Sequence, residues 1–300
     1  MKTSEELIQL LQLEQKNPTS FEGNSITVGS RTVFGGQVLA QALNAAYRTV
    51  SPERLCHSAH AYFLLPGDLQ KPIHYKVQLV RDGGSFTTRY VVAEQNEKTI
   101  FVLAASFQIK EEGLEFQVEM PQVKQVDELL SWEEIYEQAK DFLPENVSRF
   151  LSLERPIIFK PTIINNPFEK KDLPAFQDIW FKFNEAPENL SVNHFHEMLA
   201  YASDYNILIT ALQPHASQAH FGNMQLASLD HALWFHHIPD DFSTWFLFHI
   251  EVSATNNARG LTEGKIFSQD GKLIASVAQE GLMRHLQKIE KEKSHKIQKI

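Results

Sequence analysis

Gln225-Leu-Ala-Ser-Leu-Asp-His-Ala-Leu-Trp-Phe-His-His237 is an apolar, strand-like run with one small polar residue, Ser228, set inside it. Its centre, His231-Ala-Leu-Trp-Phe, repeats in outline a stretch of the first half, His60-Ala-Tyr-Phe-Leu. Around each copy the chain runs in the same order. In the first half a Gly-opened helix over 36–50 precedes the histidine stretch and several strands follow it. In the second half a helix around 191–213 takes the same place. Both halves carry a late hairpin signal, Gln95-Asn-Glu-Lys98 and Gln269-Asp-Gly-Lys272, the second an Asp-Gly turn between apolar runs. Identity between the halves is low, so what repeats is a plan, with His60 and His231 as its markers.

Alternation and β-rich composition locate the strands. Tyr75-Lys-Val-Gln-Leu79 alternates cleanly and Phe86-Thr-Thr-Arg-Tyr90 less so, while Thr99 to Ile109 and Trp245 to Val252 are continuously apolar, as central strands are. Hairpin-linked strands after a helix predict an antiparallel sheet with the helix on one face, an α+β layout. Ala40, Ala42, Ala45 and Ala46 let a sheet approach that helix closely. The expected division is a first unit over 1–110, a connecting segment over 111–155, a second unit over 156–285 and a polar tail over 286–300. The connecting segment carries an acidic amphipathic helix, Asp127 to Ala139. Beyond it Pro156, Pro161, Pro167 and Pro174 punctuate short strands near 157–164 and 176–183. The Lys- and Glu-rich tail reads as a frayed helix end or a disordered segment.

Three hundred residues with 43% hydrophobic content can bury a large core, and a 22% charged fraction with 21 Phe argues against disorder. The net charge of -9 disfavours nucleic acid and anionic membranes as partners. Cys56 is the only cysteine, so neither an intramolecular disulfide nor a thiolate metal cage can form. The first eleven residues read as a short amphipathic helix without the apolar core of a signal peptide. No apolar run approaches the roughly 20 residues that span a bilayer, and the C-terminus is not a Ser-Lys-Leu signal. A soluble cytoplasmic protein is expected.

Three polar side chains sit inside apolar context, where burial is unfavourable unless partners are supplied. Asp204 lies among Tyr201, Ala202, Tyr205, Ile207 and Leu208. It reads either as a base for an attacking water, worth about 10²–10⁴-fold in rate, or as part of a polar stripe with Ser203 and Asn206, or as a helix-end cap. Ser228 could hold a water or contact a carbonyl, or simply pair with backbone. No Gly-x-Ser-x-Gly elbow supports it as a nucleophile. Gln279, in Ile274-Ala-Ser-Val-Ala-Gln-Glu-Gly281, offers donors and an acceptor without changing charge, or is an exposed strand residue. The 13 histidines show no metal-ligand spacing, so no metal is expected. His60 and His231 read as structural strand residues donating to backbone. Phe34-Gly-Gly-Gln37 could bring a ligand to helix N–H groups, and tight helix–sheet packing explains its glycines equally well.

These segments resemble the type II acyl-CoA thioesterases. The resemblance rests on Arg31-Thr-Val-Phe-Gly-Gly-Gln-Val-Leu-Ala-Gln-Ala42, His57-Ser-Ala-His-Ala-Tyr-Phe-Leu-Leu-Pro-Gly-Asp68 and Arg81-Asp-Gly-Gly-Ser-Phe86. It continues through Ala105-Ser-Phe-Gln108, Tyr201-Ala-Ser-Asp204, Ala211-Leu-Gln-Pro-His215, Leu229-Asp-His-Ala-Leu-Trp-Phe-His236 and Gln279-Glu-Gly-Leu-Met-Arg284. It implies a double hotdog, two antiparallel sheets each wrapped round a long central helix. It further implies hydrolysis of fatty acyl-CoA of medium to long chain, a homo-oligomer, no cofactor, and catalytic roles for Asp204, Ser228 and Gln279. The alternatives are a hotdog enoyl-CoA hydratase, whose helix-start Asp and His pattern Asp204 lacks, and a non-catalytic acyl-CoA-binding module.

Overall fold

Strand residues alternate across a sheet, and here the alternation builds a curved sheet with one face on two buried helices. The computed structural model describes residues 1–166, 169–220 and 222–286. Pro167 and the expected tail beyond Leu286 lie outside the described residues. The first half comprises α1 (Ser4–Leu11), β1 (Glu14–Asn17), β2 (Ser20–Gly23), α2 (Gly35–Tyr47), β3 (Arg54–Phe63), β4 (Ile73–Asp82), β5 (Phe86–Gln95) and β6 (Lys98–Ile109). The connection holds a 3₁₀ turn (Val126–Glu128), α3 (Trp132–Ala139) and α4 (Glu145–Leu151). The second half comprises β7 (Ile157–Pro161), β8 (Phe176–Phe183), α5 (Val192–Ser203), α6 (Ile207–Thr210), β9 (Met224–Ser228), β10 (Asp230–Phe235), β11 (Phe246–Asn256), β12 (Arg259–Ser268) and β13 (Leu273–His285).

The sheet order is β1-β2-β4-β5-β6-β3-β10-β13-β12-β11-β8-β7, with β9 added to the end of β13. The order is palindromic about the β3–β10 junction. Both sheets of the double hotdog are therefore present, and they are the halves of one antiparallel sheet joined from Asp230↔Tyr62 to Trp234↔Ser58. Tight turns set the register. Asn96 and Glu97 both take positive φ (52° and 60°) between Gln95 and Lys98, as a two-residue hairpin of type I′ geometry requires. Asn257 and Ala258 do the same between β11 and β12. The Asp-Gly turn forms as expected, with Gly271 at φ 89°.

The junction register corrects the expected equivalence of the two histidines. His60 pairs with Ala232 and His231 with Ala61. Cross-strand partners share a face and neighbours along a strand do not, so His60 and His231 lie on opposite faces. His60 is exposed and meets the ring of Trp234 edge-on at 5.1 Å, whereas His231 is buried against the helices. Low identity hid a one-residue offset, which in a strand reverses the face.

Nearly every residue of α2 and α5 is buried. The two run antiparallel and bond to each other: Asn44 Nδ2 donates to Glu197 Oε1 at 3.1 Å, and Tyr47 Oη meets His196 Nδ1 at 2.7 Å. Three expected helices differ in extent. The first ends at Tyr47, and the acidic one divides at Leu129, because Ser131 and Glu134 form a capping box that starts α3 afresh. The helix expected over 191–213 stops at Ser203, because Asn206 takes a left-handed conformation (φ 66°) before the short α6.

Candidate active site

The start of α2 lies beside the end of α5, as the antiparallel packing of the two helices requires. Helix α2 has no side chain of its own to satisfy its first N–H groups, since its N-cap is Phe34. Asp204, the C-cap residue of α5, supplies the missing acceptor: Gly36 N–H donates to Asp204 Oδ2 at 2.8 Å. The Gly-Gly pair is explained by this approach. A Cβ on Gly35 would stand 2.7 Å from Asp204 Oδ2, and one on Gly36 would stand 2.5 Å from the carbonyl oxygen of Tyr201.

Ser228 closes β9 and pairs with Gly281 of β13, which brings its hydroxyl to Asp204 and to Gln279, two residues before Gly281. Ser228 Oγ donates to Asp204 Oδ1 at 3.4 Å, and Gln279 Nε2 donates to Ser228 Oγ at 3.0 Å. All three residues expected from the sequence thus converge. Gln279 is fully buried, which removes its reading as an exposed strand residue. Asp204 is the helix-end cap of α5, as one reading had it, while its side chain serves the start of α2, and Ser203 and Asn206 are buried rather than members of a solvated stripe.

Burial pushes the Asp204 carboxyl up to about 7, against the pull of the Gly36 N–H, the Gln279 amide and the Ser228 hydroxyl. Its place at the negative end of α5 acts in the same direction as burial, and the positive end of α2 opposes it. The outcome is a carboxyl poised between its two protonation states near neutrality.

One partner escaped the sequence reading. His231 does not bond to backbone, as was expected; its Nδ1 lies 2.5 Å from Gln279 Oε1 and its Nε2 lies 3.0 Å from Ser203 Oγ. Burial pushes the imidazole down to about 4, with the Gln279 bond opposing, so it is neutral at pH 7. The signal available was its place three residues after Ser228 on the next strand. Aromatic rings wall the site: Phe34 packs on Tyr201 at 5.1 Å and on Tyr205 at 4.7 Å. No group of three or more His, Cys, Asp or Glu able to hold a metal occurs among the described residues. No helix there is long and apolar enough to cross a membrane.

A palindromic antiparallel sheet curled round two buried helices makes this a double-hotdog protein. A structure of a protein of unknown function with a hot dog fold from Alicyclobacillus acidocaldarius matches it with a TM-score of 0.71 at 18% identity, covering 92% of this chain and 96% of that one. That likeness concerns the fold alone.

Sequence goes further. A family model described as "Acyl-CoA thioesterase" matches residues 147–282, and one described as "Acyl-CoA thioesterase N-terminal domain" matches 24–108. Acyl-CoA thioesterase 2 of Haemophilus influenzae is 43% identical over 279 residues, 93% of this chain and 96% of that protein. The acyl-CoA thioesterase II TesB2 of Mycobacterium marinum is 33% identical with a TM-score of 0.74, covering 93% of this chain and 97% of that one. The chain belongs to the acyl-CoA thioesterase family.

Proposed function

We propose that this protein hydrolyses fatty acyl-CoA to free fatty acid and coenzyme A, using a water held by Asp204, Ser228 and Gln279. The observation that carries the mechanism is the convergence of a carboxylate, a hydroxyl and an amide, from three elements, at one point, with Gln279 buried and Asp204 and Ser228 half-buried beside it. Ionised Asp204 takes a proton from the water as its oxygen attacks the thioester carbonyl. Ser228 and Gln279 fix the direction of attack. The tetrahedral adduct then expels coenzyme A as a thiolate, which recovers the proton from Asp204. A thiol with an ordinary pKa of roughly 8.5 is a competent leaving group, so no acyl-enzyme is required.

The same reading places the substrate among medium to long acyl chains, the protein in the cytoplasm and the working form as a homo-oligomer. It divides the chain into units over 1–110 and 156–285, with a linker between them and a polar tail. What supports the division is the palindromic sheet order about β3 and β10.

Release of free thiol from an acyl-CoA series tests the function. Folded Asp204→Asn and Gln279→Ala should each lose about 10²-fold or more in kcat. Wild-type turnover in either variant would remove that residue from the mechanism. Loss of enoyl absorbance without thiol release would indicate a hydratase, and binding without either would indicate a non-catalytic module.

A further inference from the structure

We propose that His231 is a positioning residue whose Nδ1–H fixes the Gln279 amide in the orientation that serves Ser228 and Asp204. The inference rests on the site assignment above and extends it to a buried relay that begins outside the three converging residues.

The relay follows from counting donors and acceptors. An ionised Asp204 accepts only, so the Ser228 hydroxyl must donate to it, across 3.4 Å. Ser228 Oγ has then spent its one hydrogen and meets Gln279 as an acceptor, so the amide must present its Nε2, at 3.0 Å. That leaves Gln279 Oε1 facing His231 Nδ1 at 2.5 Å, where it needs a donor. The neutral imidazole carries one N–H, and it must be on Nδ1. Nε2 then accepts from the Ser203 hydroxyl at 3.0 Å, whose single hydrogen must turn to it from the Ala200 carbonyl, 2.9 Å away. Every group donates once toward Asp204, in the order Ser203, His231, Gln279, Ser228.

The other tautomer gives the wrong site. With its hydrogen on Nε2, His231 would donate to Ser203, whose own hydrogen would go to the Ala200 carbonyl at 2.9 Å. Bare Nδ1 would draw the amide nitrogen of Gln279 and turn Oε1 onto Ser228. Oε1 and Asp204 would then compete for the single Ser228 hydrogen, and the ionised carboxylate would win. Two oxygens would be left facing each other with no hydrogen between them. The imidazole therefore selects between a water-orienting amide and a misdirected one.

The fold itself has no need of this polar pair. On the matching inward face of the first half, β3 and β6 carry Ala59 opposite Ala105 and Ala61 opposite Leu103. All four are buried and apolar.

Two measurements test the proposal. The first is long-range ¹H–¹⁵N correlation on ¹⁵N-histidine-labelled protein, with the His231 signals identified by their absence from His231→Asn. The expected form is a neutral ring protonated on Nδ1; a ring protonated on Nε2 would overturn the proposal, and this result is independent of any activity. The second compares His231→Asn, whose amide N–H falls near the Nδ1 position, with His231→Leu, which has no donor. Both are made with and without Gln279→Ala, and thiol release and melting are followed.

In the second experiment His231→Leu should lose roughly 10- to 100-fold in kcat with KM changed less than about two-fold, and His231→Asn should recover most of that loss. On the Gln279→Ala background, His231→Leu should cost nothing further. Unchanged kcat in His231→Leu, or the same loss with and without Gln279, would sink the positioning role while leaving the thioesterase reading intact. Absence of thiol release in the wild type would instead sink the thioesterase reading.

Discussion

Asp204, the proposed base, is the residue on which the chemistry and the stability of this protein pull in opposite directions. Its carboxyl is pushed up to about 7 by burial, far above the usual 3.8. As the base it must be ionised, so kcat/KM should rise with pH through about 7 and level off above it. A profile that is flat from pH 5.5 to 8.5 would count against Asp204 as the base. Stability runs the other way. Between about 4 and 7 the unfolded chain has released this proton and the folded chain has kept it, so stability contributed by this group falls as pH rises through that window. The melting advantage of Asp204→Asn over the wild type should therefore widen by a few degrees between pH 5 and pH 8.5, while the variant is nearly inactive at both. Calorimetry at the two pH values checks the sign.

At the scale of elements, the site depends on two helix ends being brought within a hydrogen bond of each other. Gly36 permits this, since any Cβ there would strike the backbone of Tyr201. Backbone cannot rotate aside as a side chain can, so Gly36→Ala must push α2 and α5 apart. We expect a loss of about 1–3 kcal/mol in stability and at least a ten-fold loss in kcat, because the Gly36 N–H no longer reaches Asp204. Ordinary turnover in Gly36→Ala would mean that the junction is not part of the working geometry. The Gly-Gly pair was conspicuous in the sequence, yet its purpose was not legible there. Its partner comes from a residue 168 positions away, and nothing local to a helix start reports a carboxylate approaching from another element.

For the whole molecule, the consequence of the β3–β10 junction is that neither half closes the proposed site by itself. The first half contributes Gly36, and the second contributes Asp204, Ser228 and Gln279. The N-terminal helix reinforces the union, with Ser4 bonded through its N–H and its hydroxyl to the Asn184 carbonyl of the second half. A single core cluster takes buried residues from both halves. Unfolding should accordingly be one transition. The four tryptophans, Trp132, Trp180, Trp234 and Trp245, all lie beyond the first half, and Trp234 packs on His60 at the junction, so their fluorescence reports the second half and the junction while far-UV circular dichroism reports the whole chain. The two urea curves and the loss of activity should coincide; separated midpoints would show that the halves are stable independently.

Much of this was decided by the amino-acid sequence alone. The α+β class, the repeated order of helix and strands, the Asp-Gly hairpin, the burial of the first central helix and the identity of Asp204, Ser228 and Gln279 as polar residues in apolar context are local properties. Periodicity, turn chemistry and composition report them directly. Tertiary structure decided what depends on register and on distance between remote elements. It placed His60 and His231 on opposite faces, since a shift of one residue reverses a strand. It broke the second helix at Asn206, and it turned His231 from a supposed backbone donor into the partner of Gln279. A sequence records which groups need hydrogen bonds. Only the folded chain, by bringing Ser203, His231, Gln279, Ser228 and Asp204 into one line, determines which groups supply them.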